Sequence, residues 1–137
     1  MQALRWDPLV VLMSITIGLL GVNVLLVNNY RDVEDDRAAG KITSVVKFGR
    51  PAAAFAYILN GYTGMAILSA FWFMIGWGKV MPLWTLLIPV LYLVLHTATW
   101  HKLKHRDGAA LNPLLGETAR NMLIFTLLLT IVLIIYS

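Results

Sequence analysis

The chain contains no cysteine, which excludes disulfide staples and any thiolate-ligated metal centre. Charge is scarce as well. Asp, Glu, Lys and Arg make up 13% of the 137 residues, about half the share expected of a soluble domain. Of the seven acidic residues, four crowd into one run, "NNYRDVEDDRAAGK" (28–41), and the others, Asp7, Asp107 and Glu117, form no second acidic pair. Histidine numbers three. His101 and His105 have helical spacing but are interleaved with lysines in a basic loop, which suits water or lipid phosphate better than zinc. No internal repeat or low-complexity segment is present. What abounds is apolar: 59% of residues are hydrophobic and mean hydropathy is +0.75, the composition of a membrane protein. The net charge of +4 points to no nucleic-acid partner, because the charges lie between apolar spans rather than on one face.

Charge is absent from Pro8 to Tyr30, from Pro51 to Gly78, from Val80 to Trp100 and from Asn121 to Ser137. A spanning helix needs about 20 apolar residues. The expected architecture is therefore an all-α, multi-pass transmembrane helix bundle forming a single membrane domain over 1–137, with four spans near 8–28, 52–75, 81–100 and 119–136. The first span lacks the basic leader and small-residue cleavage site of a signal peptide. "KFGRP" (47–51) ends one element and begins another, with Pro51 suited to a first helical turn, and "GWGKVMP" (76–82) reads as a tight turn.

Lysine and arginine bias sets the predicted orientation. Of eleven basic residues, five (Arg31, Arg37, Lys41, Lys47, Arg50) lie in the loop 29–51 and four (Lys102, Lys104, Arg106, Arg120) in or beside the loop 101–118, against Arg5 and Lys79 opposite. Both loops are predicted to be cytoplasmic in a bacterial-type plasma membrane. Trp6, Trp77 and Trp84 mark the outer boundary, and Tyr30 and Trp100 the inner one.

If the first helix continues through Asp36, then Asn28, Asp32 and Asp36 stack at successive i+4 positions on one face, with Asp35 beside them and Arg31 at the border. Carboxylates stacked in this way repel by a few tenths of a kcal/mol per pair, and a cation relieves the repulsion. Few, hard oxygen ligands suit Mg²⁺, which is usually held by one or two carboxylates plus substrate phosphates. Arg31 and Lys41 could then hold the remaining phosphate oxygens. The competing reading is a solvated loop of balanced salt bridges such as Arg31–Asp35. The run lacks the Asp-Asp-x-x-Asp of soluble prenyl synthases, because Asp36 is followed by Arg37, Ala38 and Ala39.

"VNNYRDVEDDRAAGK", followed by Thr43 and "FGR" (48–50), resembles the second aspartate-rich motif of the UbiA superfamily of intramembrane prenyltransferases, in particular the MenA-like 1,4-dihydroxy-2-naphthoate polyprenyltransferases of menaquinone synthesis. "LNPLLGETARNML" (111–123) resembles the stretch before that branch's last helix. The resemblance covers the chain but only the C-terminal half or so of a usual member. It implies transfer of a polyprenyl group from its diphosphate to an aromatic acceptor in a quinone pathway. It further implies Mg²⁺ held by Asn28, Asp32 and Asp36, and diphosphate bound by Arg31 and Lys41. The sequence departs from the pattern at Ile42 and Ser44, where the family usually has arginine and leucine. The family's first aspartate-rich motif is missing, so the chain supplies one wall of such a site. Three outcomes stay open: a fragment of a longer polypeptide, a half-enzyme completed by a second chain, or an inactive remnant. The alternative from another class is a non-catalytic helix-bundle protein, or a half that binds prenyl diphosphate without turning it over.

Among polar residues within the spans, Tyr57, Asn60, Tyr62, Thr97 and Thr99 are expected to bond across helices, and Asn23 is expected to serve packing. His96 is expected to be a packed histidine rather than a base for a phenolic acceptor. Gly18, Gly21, Gly61 and Gly64 are expected to let helices approach, and Met13, Met65, Met74 and Met122 to face lipid or fill the core.

Overall fold

The computed structural model describes residues 8–74 and 82–136. The turn at 76–82 apart from Pro82, the span ends at 75 and 81, and Arg5, Trp6, Asp7, Trp77 and Lys79 lie outside the described residues, as does the side chain of Met74. All regular structure among the described residues is helical: α1 (Pro8–Arg31), α2 (Val33–Ala38), α3 (Ser44–Met74), α4 (Leu87–His105) and α5 (Asn112–Tyr136), with single 3-10 turns at Leu83–Leu86 and Gly108–Leu111. Among the described residues, four segments are long and apolar enough to cross a membrane: Val10–Arg31, Ser44–Ala70, Leu83–His105 and Gly108–Ile135. The chain is an all-α integral membrane protein, with four candidate spans among its described residues.

The element ends follow from local chemistry. Pro8 opens α1, where its missing N–H would have no helical partner in any case. α2 ends in a Schellman motif: Gly40 takes φ 73°, its N–H donates to the Arg37 carbonyl at 3.1 Å, and Lys41 N–H donates to the Asp36 carbonyl at 2.9 Å. α3 is kinked at Gly49, whose φ of 82° and ψ of 164° lie in a region open essentially to glycine alone. Pro51 then falls in the first turn of the long, spanning part of the helix. Lys102, Lys104 and His105 occupy the last turn of α4, where positive charge complements the helix dipole.

The long helices form a ring: α1 packs on α3 and α5, and α4 packs on α3 and α5. One apolar core cluster joins Val27, Tyr30 and Val33 to Ala54, Tyr57, Leu103 and Leu114. A second joins Leu20, Met65, Trp72, Tyr92, Phe125 and Leu129. The outward side chains are apolar too, including Val22, Leu25, Phe55, Leu59, Val94, Leu127 and Ile131, as lipid contact requires.

Lipid is as apolar as leucine, so association within a bilayer rests on packing and on interhelical hydrogen bonds of about 0.6–2 kcal/mol each. Tyr57 of α3 is the hub of those bonds. Its carbonyl accepts from Asn23 Nδ2 of α1 at 3.1 Å and from His96 Nε2 of α4 at 3.0 Å. Its hydroxyl meets Thr118 Oγ1 of α5 at 3.1 Å. Asn60 donates to Asn23 at 3.0 Å, and Asn121 donates to Thr99 at 3.0 Å. One residue thus ties together all four spans.

Glycine use differs from expectation. Gly61 and Gly64 do admit neighbours: a Cβ at Gly61 would collide with the His96 imidazole, and one at Gly64 would lie 3.6 Å from the Thr16 carbonyl oxygen. Among the described residues nothing lies within 4 Å of a Cβ at Gly18 or Gly21, because they lie on a side of α1 that the ring of described helices does not cover.

Candidate functional site

The run 28–41 starts at the end of α1 and wraps over α2. Its helix is not continuous through Asp36, the condition attached to the i+4 stack. α1 ends at Arg31, and Asp32 takes φ −91° and ψ 11° before α2 begins. A side-chain pair between adjacent residues sits at the break. Arg31 places Nε 2.6 Å from Asp32 Oδ1 and a terminal nitrogen 2.8 Å from Oδ2. Residues i and i+1 do not face each other on a regular helix, and this two-pronged grip coincides with the irregular backbone at Asp32. The backbone ladder nevertheless persists: Asp32 N–H donates to the Asn28 carbonyl at 3.0 Å, and Asp36 N–H to the Asp32 carbonyl at 2.8 Å. Asn28, Asp32 and Asp36 therefore keep their i+4 register across the break.

The same Arg31 also donates to Asn28 Oδ1 at 3.0 Å. Asn28, Arg31 and Asp32 thus form one hydrogen-bonded unit at the end of the first span. Arg31's hydrogen bonds stabilise the ionised Asp32 carboxylate and hold its pKa below the ordinary value, outweighing partial burial. Asp35 is exposed, and Arg31 bonds Asp32 and Asn28 rather than taking Asp35 at i+4. Arg37 is drawn to Glu34 at 2.7 Å on the exposed face.

Asp36 lies deeper. It is 6% exposed, and its carboxylate meets Lys41 Nζ at 3.1 Å. The Schellman turn at Gly40 makes this possible, since it folds the backbone of Lys41 back onto Asp36. Each of the two aspartates predicted for the site thus carries one of the two predicted phosphate-binding cations. Among the described residues no three His, Cys, Asp or Glu side chains gather closely enough to enclose a metal ion. The donors present are two carboxylates and a carboxamide, a set that suits Mg²⁺ completed by phosphate oxygens and water.

His96 is enclosed. It is 1% exposed and stacks between Tyr57 and Tyr92, with ring centroids 4.4 Å and 5.3 Å away. Nε2–H donates to the Tyr57 carbonyl, which leaves Nδ1 for the Tyr92 hydroxyl at 3.4 Å. With both nitrogens engaged, it is a packed residue. His101 and His105 are exposed and stacked at 6.3 Å. Two ion pairs lay beyond sequence reasoning. Lys102 meets Glu117 at 2.8 Å, and Arg50 meets Asp107 at 2.9 Å, joining the start of the α3 span to the loop after α4. Partners so distant in sequence leave no spacing signal.

A sequence model described as the UbiA prenyltransferase family matches residues 2–123. A curated relative, the 1,4-dihydroxy-2-naphthoate octaprenyltransferase of Escherichia coli (strain K12), is 29% identical over 131 residues, which make up 93% of this chain and 40% of the relative. The chain thus spans well under half of that protein's length. No solved structure matches.

Proposed function

The chain belongs to the UbiA prenyltransferase family, and on that premise we propose that it contributes one wall of a site for Mg²⁺-dependent transfer of a polyprenyl group from its diphosphate to an aromatic acceptor such as 1,4-dihydroxy-2-naphthoate. The observation that carries this reading is the pairing of Arg31 with Asn28 and Asp32, alongside Lys41 on Asp36. Asn28, Asp32 and Asp36 are the residues that would hold the ion. When bound, Mg²⁺ supplies positive charge against the leaving diphosphate. Arg31 and Lys41 are the N–H donors for phosphate oxygens, and in the absence of ligand they neutralise the same carboxylates. The apolar spans give the prenyl chain a lipid-like path and keep water from the allylic carbon. The motif loops face the cytoplasm in this reading, by the excess of lysine and arginine on that side.

One wall is not a cavity. Gly18, Gly21, Val22 and Leu25 lie along the part of α1 left open by the ring, below Asn28 and Asp32. That open side supports completion of the site by further helices, in the same polypeptide or in a second chain that supplies the other acidic cluster. The second reading, a prenyl-diphosphate-binding half without turnover, draws on the same observation.

The test is binding of farnesyl diphosphate to the purified chain in detergent, with and without Mg²⁺. Binding is expected to require Mg²⁺ and to weaken at least about tenfold in Asp32→Ala, the loss of one charge-assisted ligand contact. Metal-independent binding that is unchanged in this variant would overturn the assignment. Turnover with a naphthoate acceptor separates an enzyme from a binding half.

A further inference from the structure

At the basic end of the bundle, beside the start of the acidic run at Tyr30, a groove of about 380 Å³ opens between the end of α1, the start of the α3 span and the end of α4. Two cations line it, Arg50 and Lys104, with two aromatic rings, Tyr30 and Trp100, and an apolar floor that includes Ala54 and Phe55. The walls are fixed. Trp100 Nε1 donates to the Ala54 carbonyl at 2.9 Å, the Arg50 guanidinium sits 5.2 Å over the Tyr30 ring, and the Lys104 ammonium sits 4.4 Å over the Trp100 ring. The charges are incompletely used. Arg50 gives one terminal nitrogen to Asp107, but its Nε is buried with no partner among the described residues. Lys104 pairs with no carboxylate among the described residues. Phe55, one turn from Arg50, is 65% exposed.

We propose that this groove seats one anionic phospholipid of the surrounding bilayer, with its phosphate between Arg50 and Lys104 and an acyl chain laid along Ala54 and Phe55. The reasoning is complementarity at both ends of the ligand. Arg50 and Lys104 both line the groove, and a phosphate set between two cations takes charge-assisted hydrogen bonds from each. Basic pockets between membrane helices bind anionic head groups for the same reason. The apolar floor at Ala54 and Phe55 suits an acyl chain, which a free anion lacks. The groove lies at the end of the spans, at head-group depth, with Tyr30 and Trp100 as interfacial rings. This inference does not depend on prenyl transfer.

The experiment is native mass spectrometry of the full chain in detergent, titrated separately with dioleoyl-phosphatidylglycerol, dioleoyl-phosphatidylcholine and inorganic phosphate. The wild-type chain should retain phosphatidylglycerol at least about tenfold better than phosphatidylcholine. Lys104→Gln, an exposed side chain without an ion pair, should lower that preference several-fold without disturbing the fold. The double variant Arg50→Gln/Lys104→Gln should abolish it. The charge-matched double variant Arg37→Gln/Lys47→Gln, which leaves the groove intact, should retain it. Equal retention of the two lipids by the wild-type chain, an unchanged preference in Lys104→Gln, or displacement of phosphatidylglycerol by millimolar inorganic phosphate would each overturn the proposal.

Discussion

The His96 imidazole of α4 fills the space that a side chain at Gly61 of α3 would need, and from there Nε2 reaches the Tyr57 carbonyl at 3.0 Å. A missing methyl on one helix thus permits a hydrogen bond from another. Gly61→Ala should push the ring out, break that bond and destabilise the bundle by about 1–3 kcal/mol, the usual cost of overpacking. Thermal unfolding in detergent measures it. The double variant Gly61→Ala/His96→Ala should lose less stability than the two single changes summed.

Glycine positions separate by backbone and space. Gly49 sits at φ 82° and ψ 164°, where a Cβ is strained by about 1–3 kcal/mol. Gly49→Ala should lower the unfolding temperature and move Arg50 off Asp107. Gly18→Ala, on helical backbone with nothing within 4 Å of the new methyl, should leave stability unchanged or slightly raised by better helix propensity.

Removing the Lys41 ammonium strips the ion-pair partner from a carboxylate that is 6% exposed. The lysine itself is largely solvated, with 68% of its side chain exposed, so the loss is less than for a fully buried pair. Lys41→Gln should cost about 1 kcal/mol, and adding Asp36→Asn should recover part of it. Chemical denaturation of the single and double variants reads this directly.

Asp32 should titrate below the ordinary carboxylate range of about 3.9, because Arg31 bonds its ionised form. A carboxyl with a depressed folded pKa contributes stability above its unfolded value, and that contribution is lost as pH falls through the folded value. Carbon-13 NMR of labelled aspartate should place the Asp32 transition low in the wild-type chain and return it towards the ordinary value in Arg31→Gln. Across neutral pH, Asp32 stays ionised and introduces no pH dependence of its own.

The readings that came through best rest on short-range chemistry. The spans were legible because long uncharged runs leave a chain few places except a bilayer. The turn at "KFGRP" was legible because Gly49 frees the backbone to bend and Pro51 fixes φ at a first helical turn. The i+4 register of Asn28, Asp32 and Asp36 was legible from helix periodicity. The partner of Arg31 was not. Helical spacing pointed to Asp35, whereas the guanidinium takes the adjacent Asp32 and Asn28, where the helix is interrupted. Nor could spacing tell Gly61 and Gly64, which contact other helices, from Gly18 and Gly21, which do not.

By itself the sequence determined an all-helical membrane protein and the family motif at the end of its first span. Both are written in runs and intervals of neighbouring residues. Only the tertiary structure decided that Tyr57 ties four helices together, that His96 is packed with both nitrogens engaged, and that Arg50 and Lys104 share a groove with Tyr30 and Trp100. Those relations join side chains from different helices, and the way helices pack around one another leaves no periodic trace along any one of them.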